Sequence, residues 1–437
     1  MRRSSVLLLL TTAFAAAADP PNLPPQLPLS QALDIALSNS TNIRTAMAQL
    51  DQASGQYEQS KSTLLPDVNV KAHQDYLTVN LAGLGFLVPG TTTGKIGPFA
   101  SMDARVFLTQ QLFNLSDIRG SQSSQSRQES SRLLVENARE LVALRVVASY
   151  LEALKAKAFR DTLAAQTKLA DDLYRLTRDR VNQGVAAELD ANRAMQQVNS
   201  LTQQRQEAEQ SYVDAKLSLA NLLQARVTAE YDVADEAAYG AGTPPDRGST
   251  IKAALTARPD YLSAEASVKA AELQVRSIKA SRLPTISLRA SDGQSGFTPA
   301  HNVNTYDVGG TIEFPIFTGG RIRGQIQEAE GSLREAQAAL DASRSQIEAD
   351  VQAAISGVQS ALMELETSAG NVKLSRQEVD FTRSRFSQGI SDNTEVVNAQ
   401  NRLEQADDAH IRAQYNLGLA RANLARATGA AEKTYRK

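Results

Sequence analysis

The chain has 437 residues, a formal net charge of −2 and no cysteine. The near-neutral charge excludes a large basic surface for nucleic acid, and the lack of cysteine excludes disulfides and thiolate metal sites. Aromatic residues make up only 5% of the chain and tryptophan is absent, which is typical of long packed helices rather than of a large aromatic core.

The N-terminal segment has the pattern of an export signal. Arg2 and Arg3 precede an apolar run over residues 6–10, and small alanines follow as a cleavage site. We therefore predict a signal peptide over residues 1–18 and an exported mature chain, because the apolar run is short for a membrane helix of about 20 residues. The proline-rich residues 19–28 predict an extended tail.

Two strands are predicted in the first half of the chain. Polar and mostly apolar residues alternate over residues 67–76 and again over residues 101–112. The connection between them, residues 77–100, is apolar and glycine-rich in its middle and is predicted to be a long loop.

Proline placement predicts two very long helices. All 14 prolines lie at or before Pro315, and none occurs between Pro98 and Pro244. Since proline costs about 3 kcal/mol inside a helix, these gaps permit helices over residues 119–182 and 321–387. At 1.5 Å per residue the first would be roughly 95 Å long.

The second half repeats the first in the same order. Residues 174–193 read YRLTRDRVNQGVAAELDANR, and residues 381–400 read FTRSRFSQGISDNTEVVNAQ. We expect two repeats, each with a helix, a Leu-Pro stop, two strands, a long helix, a glycine turn and another helix. The predicted segments are a first repeat over 29–223, a linker over 224–249, a second repeat over 250–428 with strands about 285–291 and 304–314, and a C-terminal tail over 429–437.

The predicted strands have about the length that crosses a bilayer, nine to eleven tilted residues. Tyr76, Phe107, Tyr306 and Phe314 lie in or near their ends, as aromatic residues do at membrane interfaces, although the alternation would also fit a soluble sheet. Four strands are too few for a barrel, and lipid does not tolerate an open sheet edge. If the strands span a membrane, several chains must share one barrel.

Several features, in order and duplicated, resemble the outer membrane efflux protein family of TolC-like channels. They are an opening helix at 29–37, its repeat at 250–255 followed by Arg258-Pro259-Asp260, the Leu-Pro stops, residues 314–321 and the two Gln-Gly turns. The resemblance implies a mainly α-helical homotrimer with a β-barrel portion. Each subunit would contribute four strands to a twelve-stranded outer-membrane barrel on a long periplasmic helical tunnel. The loop over residues 77–100 would then face the outside of the cell or fold over the mouth.

The resemblance also implies a function. It is that of a passive outer-membrane exit duct in a tripartite efflux or type I secretion system. Its partners would be a periplasmic adaptor protein, an inner-membrane pump of the RND or ABC type, and outer-membrane lipid. No nucleotide-binding motif occurs, so energy would come from the pump. The alternative is a soluble periplasmic coiled-coil scaffold, which leaves the four alternating strands unexplained.

No pattern of an enzyme or of a cofactor site is found in the sequence. His73, His301 and His410 are the three histidines, and no metal-ligand spacing links them. We therefore predict neither catalysis nor a cofactor, and no nucleic acid partner.

The two Gln-Gly turns match the family's helix-to-helix turns at the periplasmic tip, which meet the adaptor. Glycine suits such turns because it accepts positive φ at the end of a helix. The resemblance thus assigns docking roles to Gln183, Gly184, Val185, Gln388, Gly389 and Ile390.

Acids near these turns match a constriction of the pore. Glu395 matches a position that forms an acid ring in the closed tip, and Asn398 matches a second position that often carries an acid. Asp190 is the equivalent of Glu395 in the first repeat, and Asp392 is a further acid nearby. Three-fold symmetry would concentrate their negative potential in a narrow passage. Alternatively, they are ordinary carboxylates at helix starts, favoured there by the helix dipole.

Two further positions match residues that hold the family's tip closed through polar contacts. They are Phe386, whose side chain cannot form hydrogen bonds, and Ser391, whose side chain is short. We therefore expect the tip of this protein to be held differently.

Overall fold

The computed structural model describes residues 21–86, 94–227, 230–234, 245–298, 301–391 and 393–436. The predicted signal peptide and Asp392 lie outside the described residues. The chain divides into two compact units. The helical unit comprises residues 1–41, 139–247 and 352–437, and the sheet unit comprises residues 42–138 and 248–351.

The elements of the described residues follow one another in this order: β1 (Gln26–Leu27), α1 (Leu29–Asn39), α2 (Thr41–Ser62), β2 (Asp67–Asn80), β3 (Lys95–Phe113), α3 (Leu115–Asn182), α4 (Glu188–Leu222), β4 (Asp232–Val233), α5 (Arg247–Ala257), α6 (Pro259–Ala280), β5 (Thr285–Gly296), β6 (Asn302–Glu313), α7 (Arg321–Ser387), α8 (Asn393–Ala427) and α9 (Ala431–Tyr435).

Each predicted opening helix is in fact a pair of helices, which corrects the single helix expected before each strand pair. In the second half the break falls at Arg258-Pro259. Proline disfavours helical backbone in the preceding residue, and Arg258 accordingly has φ −70° and ψ 120°. The Arg258 side chain is buried and pairs with Asp260 at 2.6 Å and with Asp350 of α7 at 2.9 Å. These ion pairs hold the junction between α5 and α6 against α7 within the sheet unit.

The two long helices are α3, with 68 residues, and α7, with 67 residues. Helix α7 has the predicted bounds, whereas α3 begins four residues before the predicted start. The reason is Asn114, whose side-chain oxygen accepts hydrogen bonds from the N–H groups of Ser116 at 3.1 Å and Asp117 at 3.2 Å. This side chain satisfies donors that the first turn of a helix leaves free.

Strands β2, β3, β5 and β6 form one antiparallel sheet in the order β2-β3-β5-β6. The β2–β3 ladder continues beyond the predicted strand ends to the pair Asn80 and Lys95, past a register shift between Leu77 and Val79. The predicted loop over 77–100 is therefore shorter than expected, because Leu77 pairs with Phe99 and extends the ladder. Residues 87–93, in its middle, lie outside the described residues.

The register gives the sheet a mostly apolar face, which also carries Asp292 opposite Tyr306, and a mostly polar face, which also carries Phe107. One row across the sheet is Val68, Leu108, Ala290 and Val308. The next row, one residue further along β2, is Asn69, Phe107, Ser291 and Asp307. The apolar face carries these exposed large side chains: Val68, Val70, Tyr76, Val106, Tyr306, Val308 and Ile312.

Part of the predicted tail and linker pair with each other in the helical unit. Strands β1 and β4 are parallel, with Gln26 opposite Asp232 and Leu27 opposite Val233. The buried Tyr150 hydroxyl donates to the Leu27 carbonyl at 2.8 Å, and Lys157 pairs with Asp232 at 3.1 Å. These contacts hold the chain ahead of α1 in extended form.

The predicted C-terminal tail includes a docked helix, α9. The buried Glu140 carboxylate of α3 accepts hydrogen bonds from the N–H groups of Ala431 at 2.7 Å and Glu432 at 3.3 Å. Arg436 pairs with Asp34 of α1 at 2.8 Å. The C-terminal segment is therefore part of the helical unit.

Candidate functional site

The two Gln-Gly segments form helix-to-helix turns in the helical unit. Helix α3 ends at Asn182, Gly184 has φ +75°, and α4 begins at Glu188. The N–H of Gly184 donates to the Val181 carbonyl at 2.9 Å, and the N–H of Val185 donates to the Arg180 carbonyl at 3.0 Å. This pair of bonds is the Schellman arrangement that closes a helix with a left-handed residue.

The second turn has the same geometry between α7 and α8. Gly389 has φ +76°, and its N–H donates to the Phe386 carbonyl at 3.0 Å. The N–H of Ile390 donates to the Arg385 carbonyl at 2.9 Å. The sequence-based prediction of two glycine turns is thus confirmed at the level of backbone geometry, because both glycines hold a φ that side chains with a Cβ disfavour.

The residues beside the glycines expose both polar and apolar side chains. Gln183 and Gln388 are exposed, and so are the apolar side chains of Val185 and Ile390. Leu189, at the start of α4, is a further exposed apolar side chain near the first turn. Each turn therefore exposes a glutamine before its glycine and an apolar residue after it.

Hydrogen bonds bring the two turns together. The Arg180 guanidinium donates to the Phe386 carbonyl at 2.5 Å and lies over the Phe386 ring, 4.7 Å from its centre. The Asn393 amide donates to the Asp190 carbonyl at 3.0 Å. These contacts join the end of α3 to the end of α7 and the start of α4 to the start of α8.

Phe386 is a core residue rather than a polar latch. It is 4% exposed and packs in an apolar cluster with Leu173 and Val396. The hydroxyl oxygen of Ser391 is buried and has no hydrogen-bond partner among the described residues. How the tip is held closed stays a prediction; within one chain, Arg180 and Asn393 join the two turns.

Sequence reasoning missed Arg180. A signal was present, because an arginine stands four residues before each turn glycine, as Arg180 and Arg385. Arg385 has other partners, since it lies 3.9 Å from the Glu395 carboxylate and near the Phe381 ring. Only Arg180 reaches across to the other turn.

The predicted constriction residues surround the same turns. Glu395 lies in the first turn of α8 with a half-exposed side chain, and Asn398 is exposed one helical turn later. Residues three apart share one helix face, so these two side chains lie on the same side of α8. Asp190 is half-buried in the first turn of α4, with its carbonyl bound by Asn393. Asp190 and Glu395 therefore lie in the first turns of α4 and α8, beside the joined turns.

The described residues offer neither a metal site nor a membrane-spanning helix. They contain no cluster of histidine, cysteine, aspartate or glutamate suited to a metal ion. The three histidines contact different residues: His73 lies 3.8 Å from Asp75, His301 lies 3.1 Å from Thr298, and His410 lies 3.1 Å from Ser368. No helix in the described part of the chain has both the length and the apolar character that a membrane crossing needs.

Comparison with known proteins gives consistent matches along nearly the whole chain. The family model described as "Outer membrane efflux protein" matches residues 32–225 and 250–430. The pyoverdine export outer membrane protein OpmQ of Pseudomonas putida is 26% identical over 407 residues, which cover 92% of this chain and 85% of that protein.

Solved outer-membrane channels share the fold. The CmeC channel of Campylobacter jejuni superposes with a TM-score of 0.79 at 19% identity, covering 92% of this chain and 86% of that one. The outer membrane protein VceC of Vibrio cholerae superposes with a TM-score of 0.77 at 19% identity, covering 92% of this chain and 96% of that one.

Proposed function

Because this chain belongs to the outer membrane efflux protein family, we propose that it is the passive exit duct of a tripartite efflux or type I secretion system. The observation that carries this proposal is the two-faced, four-stranded sheet joined to helices of 68 and 67 residues. In a soluble scaffold an exposed apolar sheet face would be in contact with water, which is unfavourable.

The sheet supports assembly of several copies. Strands β2 and β6 are its two edges, and each has an unpaired row of backbone groups on one side. Lipid does not tolerate such edges, and four strands are too few to close on themselves. In a homotrimer the edges of neighbouring subunits would pair, and two successive repeats in each subunit would supply a twelve-stranded barrel.

The polar face of the sheet suits the lining of a water-filled lumen. Arg105 pairs with Asp103 at 2.6 Å and donates to the Thr305 hydroxyl at 3.1 Å. Arg289 lies 3.8 Å from Asp307 on the same face. The opposite, apolar face would contact lipid, which is the alternation that membrane barrels require.

The joined turns suit the closed periplasmic tip and its contact with an adaptor protein. Val185 and Ile390 are exposed apolar residues on neighbouring turns, and Arg180 holds the turns in fixed relation. We assign the docking surface to Gln183, Gly184, Val185, Gln388, Gly389 and Ile390. Energy and substrate selection would come from the inner-membrane pump of the RND or ABC type.

The acids near the turns suit a negative constriction. In a trimer, three copies each of Glu395, Asp190 and Asp392 would approach one axis, with Asn398 beside Glu395. Arg385 lies 3.9 Å from Glu395, so part of that negative charge is compensated within each subunit. The negative potential of the Glu395 ring would therefore be weaker than that of a ring of unpaired carboxylates.

The proposal is tested first by the native mass of the full chain in detergent-extracted outer membranes. We expect a trimer in that fraction. A monomer in the soluble periplasmic fraction would contradict the duct and favour the coiled-coil scaffold.

Single-channel recording of the reconstituted trimer tests the constriction. We expect Glu395→Gln to reduce cation selectivity, because the ring loses one negative charge per subunit. Glu58→Gln, an exposed acid on α2 that pairs only at 3.6 Å with Lys61 of its own helix, is the matched control and should leave selectivity unchanged. Equal selectivity of both variants and the unaltered protein would remove Glu395 from the pore without contradicting the duct.

A further inference from the structure

The connection from β6 to α7 carries the most exposed large apolar side chains of the described residues. Ile316 is 90% exposed and Phe317 is 89% exposed. The connection, residues 314–320, also contains Pro315 and two glycines of positive φ, Gly319 at +58° and Gly320 at +86°. Exposure of two large apolar side chains to water is unfavourable, so we expect a partner to cover them.

The patch continues the apolar face of the sheet. Side chains on one face of a strand recur at every second residue, and Tyr306, Val308 and Ile312 are exposed apolar residues on one face of β6. Val303 is also exposed but lies on the other face. Phe314 follows in the same phase and is also exposed. Exposed apolar residues thus continue along the chain from β6 through Phe314 to Ile316 and Phe317.

The equivalent residues of the first half, Leu112 and Phe113, are less exposed, at 60% and 43%. Strand β3 ends at Phe113, and α3 begins at Leu115 with the side chain of Asn114 bound to its first turn. No turn therefore separates that strand from its helix. The second half therefore differs in having a separate connection, on which the equivalent apolar pair is more exposed.

We propose that Ile316 and Phe317 anchor the protein in the interfacial layer of the outer membrane, where the sheet is followed by α7. The inference rests on the proposed function, in which the apolar face of the sheet contacts lipid. Phenylalanine and isoleucine at the end of a membrane strand would enter the boundary between headgroups and acyl chains.

A phospholipid surface fits this patch better than a second copy of the chain does. Copies that pair through β2 and β6 would use the backbone edges of those strands. Residues 314–320 follow the last residue of β6 and take no part in that pairing. Arg321 and Arg323 follow the patch and are exposed, and no acid occurs between Thr318 and Gln327. Two cations beside an apolar projection suit lipid phosphates.

The absence of tryptophan permits a direct test. We would prepare the full-length variants Phe317→Trp and Ile316→Trp and reconstitute each in phosphatidylcholine vesicles with brominated acyl chains, which quench tryptophan emission on contact. Val308→Trp, on the apolar face of β6, reports whether the sheet is in lipid at all. Met363→Trp, at an exposed position further along α7, is the control outside the membrane.

We expect bromine near the headgroups to quench Phe317→Trp and Ile316→Trp more than bromine near the chain ends does. Val308→Trp should show the reverse preference, and Met363→Trp should lose no emission. Quenching of Val308→Trp without quenching of either anchor variant would overturn the anchor and leave the duct intact. In that case, shielding of the anchor variants from aqueous acrylamide would identify a second copy as the cover, and free access of acrylamide would place them in water. If Val308→Trp is also unquenched, the sheet is not in lipid and the proposed function itself fails.

Discussion

At the scale of single residues, equivalent positions in the two halves have acquired different partners. Arg180 and Arg385 each stand four residues before a turn glycine. Arg180 reaches the other turn at Phe386, while Arg385 pairs with Glu395 at the start of the next helix. Phe386 gives the reason for the asymmetry, because its buried ring offers Arg180 a face to stack on and its carbonyl offers an acceptor.

Replacing Arg180 with alanine removes this link between the turns. We expect local opening of both turns to become easier by about 1–3 kcal/mol, since a charge-assisted hydrogen bond and a cation–π contact are lost together. Amide hydrogen exchange of the turn segments measures the effect, at about tenfold faster exchange per 1.4 kcal/mol.

The matched control for this variant is Arg175→Ala in the same helix. Arg175 is 73% exposed and pairs with Asp171 at 2.8 Å. An exposed pair of this kind contributes roughly 0–1 kcal/mol, so exchange at the turns should hardly change. Equal exchange in Arg180→Ala and Arg175→Ala would show that Arg180 does not hold the turns.

At the scale of elements, the sheet includes a close approach between β3 and β5. A Cβ added to Gly293 of β5 would lie 2.1 Å from the Arg105 Cβ and 2.4 Å from the Ala104 carbonyl oxygen of β3. These distances are far below contact distance, and backbone atoms cannot rotate away as side-chain ends can. Glycine at this position therefore permits the pairing of β3 with β5.

Gly293→Ala should destabilise the sheet by about 1–3 kcal/mol or more, because the strands must shift to admit the methyl group. Gly309→Ala is the matched control, since Gly309 also lies on the polar face opposite an arginine, Arg289, yet has nothing within 4 Å of an added Cβ. We expect the thermal unfolding temperature of the detergent-solubilised protein to fall for the first variant only. A similar drop for both would mean that loss of glycine as such, and not the contact with β3, is responsible.

The docking of α9 should depend on pH through Glu140. Burial raises the pKa of this carboxyl, although the N–H groups of Ala431 and Glu432 oppose the shift by bonding to the charged form. Arg426 and Glu432 are the charged groups that act on it, with opposite effects. A pKa raised in the folded state means that the contribution of Glu140 to stability is fully present below its unfolded pKa and is lost as pH rises through the folded pKa.

We therefore expect the stability of the unaltered protein to fall relative to that of Glu140→Gln as pH rises from acid values through the raised pKa of Glu140. Urea unfolding followed across this range measures the difference, and the comparison cancels the contributions of other groups. Glu432, whose pKa is lowered by Arg139 and Arg436 against its own burial, has the opposite sign and is present in both proteins. Parallel pH profiles of the two proteins would exclude Glu140 as the source.

At the scale of the whole molecule, the sheet edges decide whether copies assemble. Strands β2 and β6 bound the sheet. The chain has no cysteine, so introduced cysteines can only form disulfides with each other. Cysteines that approach across a subunit boundary would therefore report it directly, since a disulfide needs Cα atoms about 4.4–6.8 Å apart.

We predict that Lys71→Cys on β2, combined in turn with Thr305→Cys, Asp307→Cys or Gly309→Cys on β6, gives a covalently linked trimer on oxidation in at least one combination. All four positions lie on the polar face. The pair Asn69→Cys with Phe107→Cys is the control, because these residues are directly opposite each other within one chain and should link without a change in mass. Links confined to single chains in every combination would exclude pairing between copies.

Much of the architecture could be predicted from local sequence, and the parts that could not involve distant partners. The end of α7 at Ser387 and the turn at Gly389 follow from a proline-free run and a glycine with positive φ. Helix α3 starts earlier than predicted because Asn114 caps its first turn, and this signal is local in the sequence. The extent of β2 and β3 could not be read from alternation, because their ends are stabilised by each other through pairs such as Leu77 and Phe99.

The amino-acid sequence by itself determined the long helices, the glycine turns, the alternating strands and the family, because proline, glycine and apolar periodicity act over a few residues. Only the tertiary structure decided which turn residues meet. Arg180 and Phe386 are 206 residues apart, and their contact depends on the rotational phase of two helices of more than 60 residues each. Small changes in helix phase alter which side chains face each other, so such a contact arises from packing and cannot be deduced from spacing along the chain.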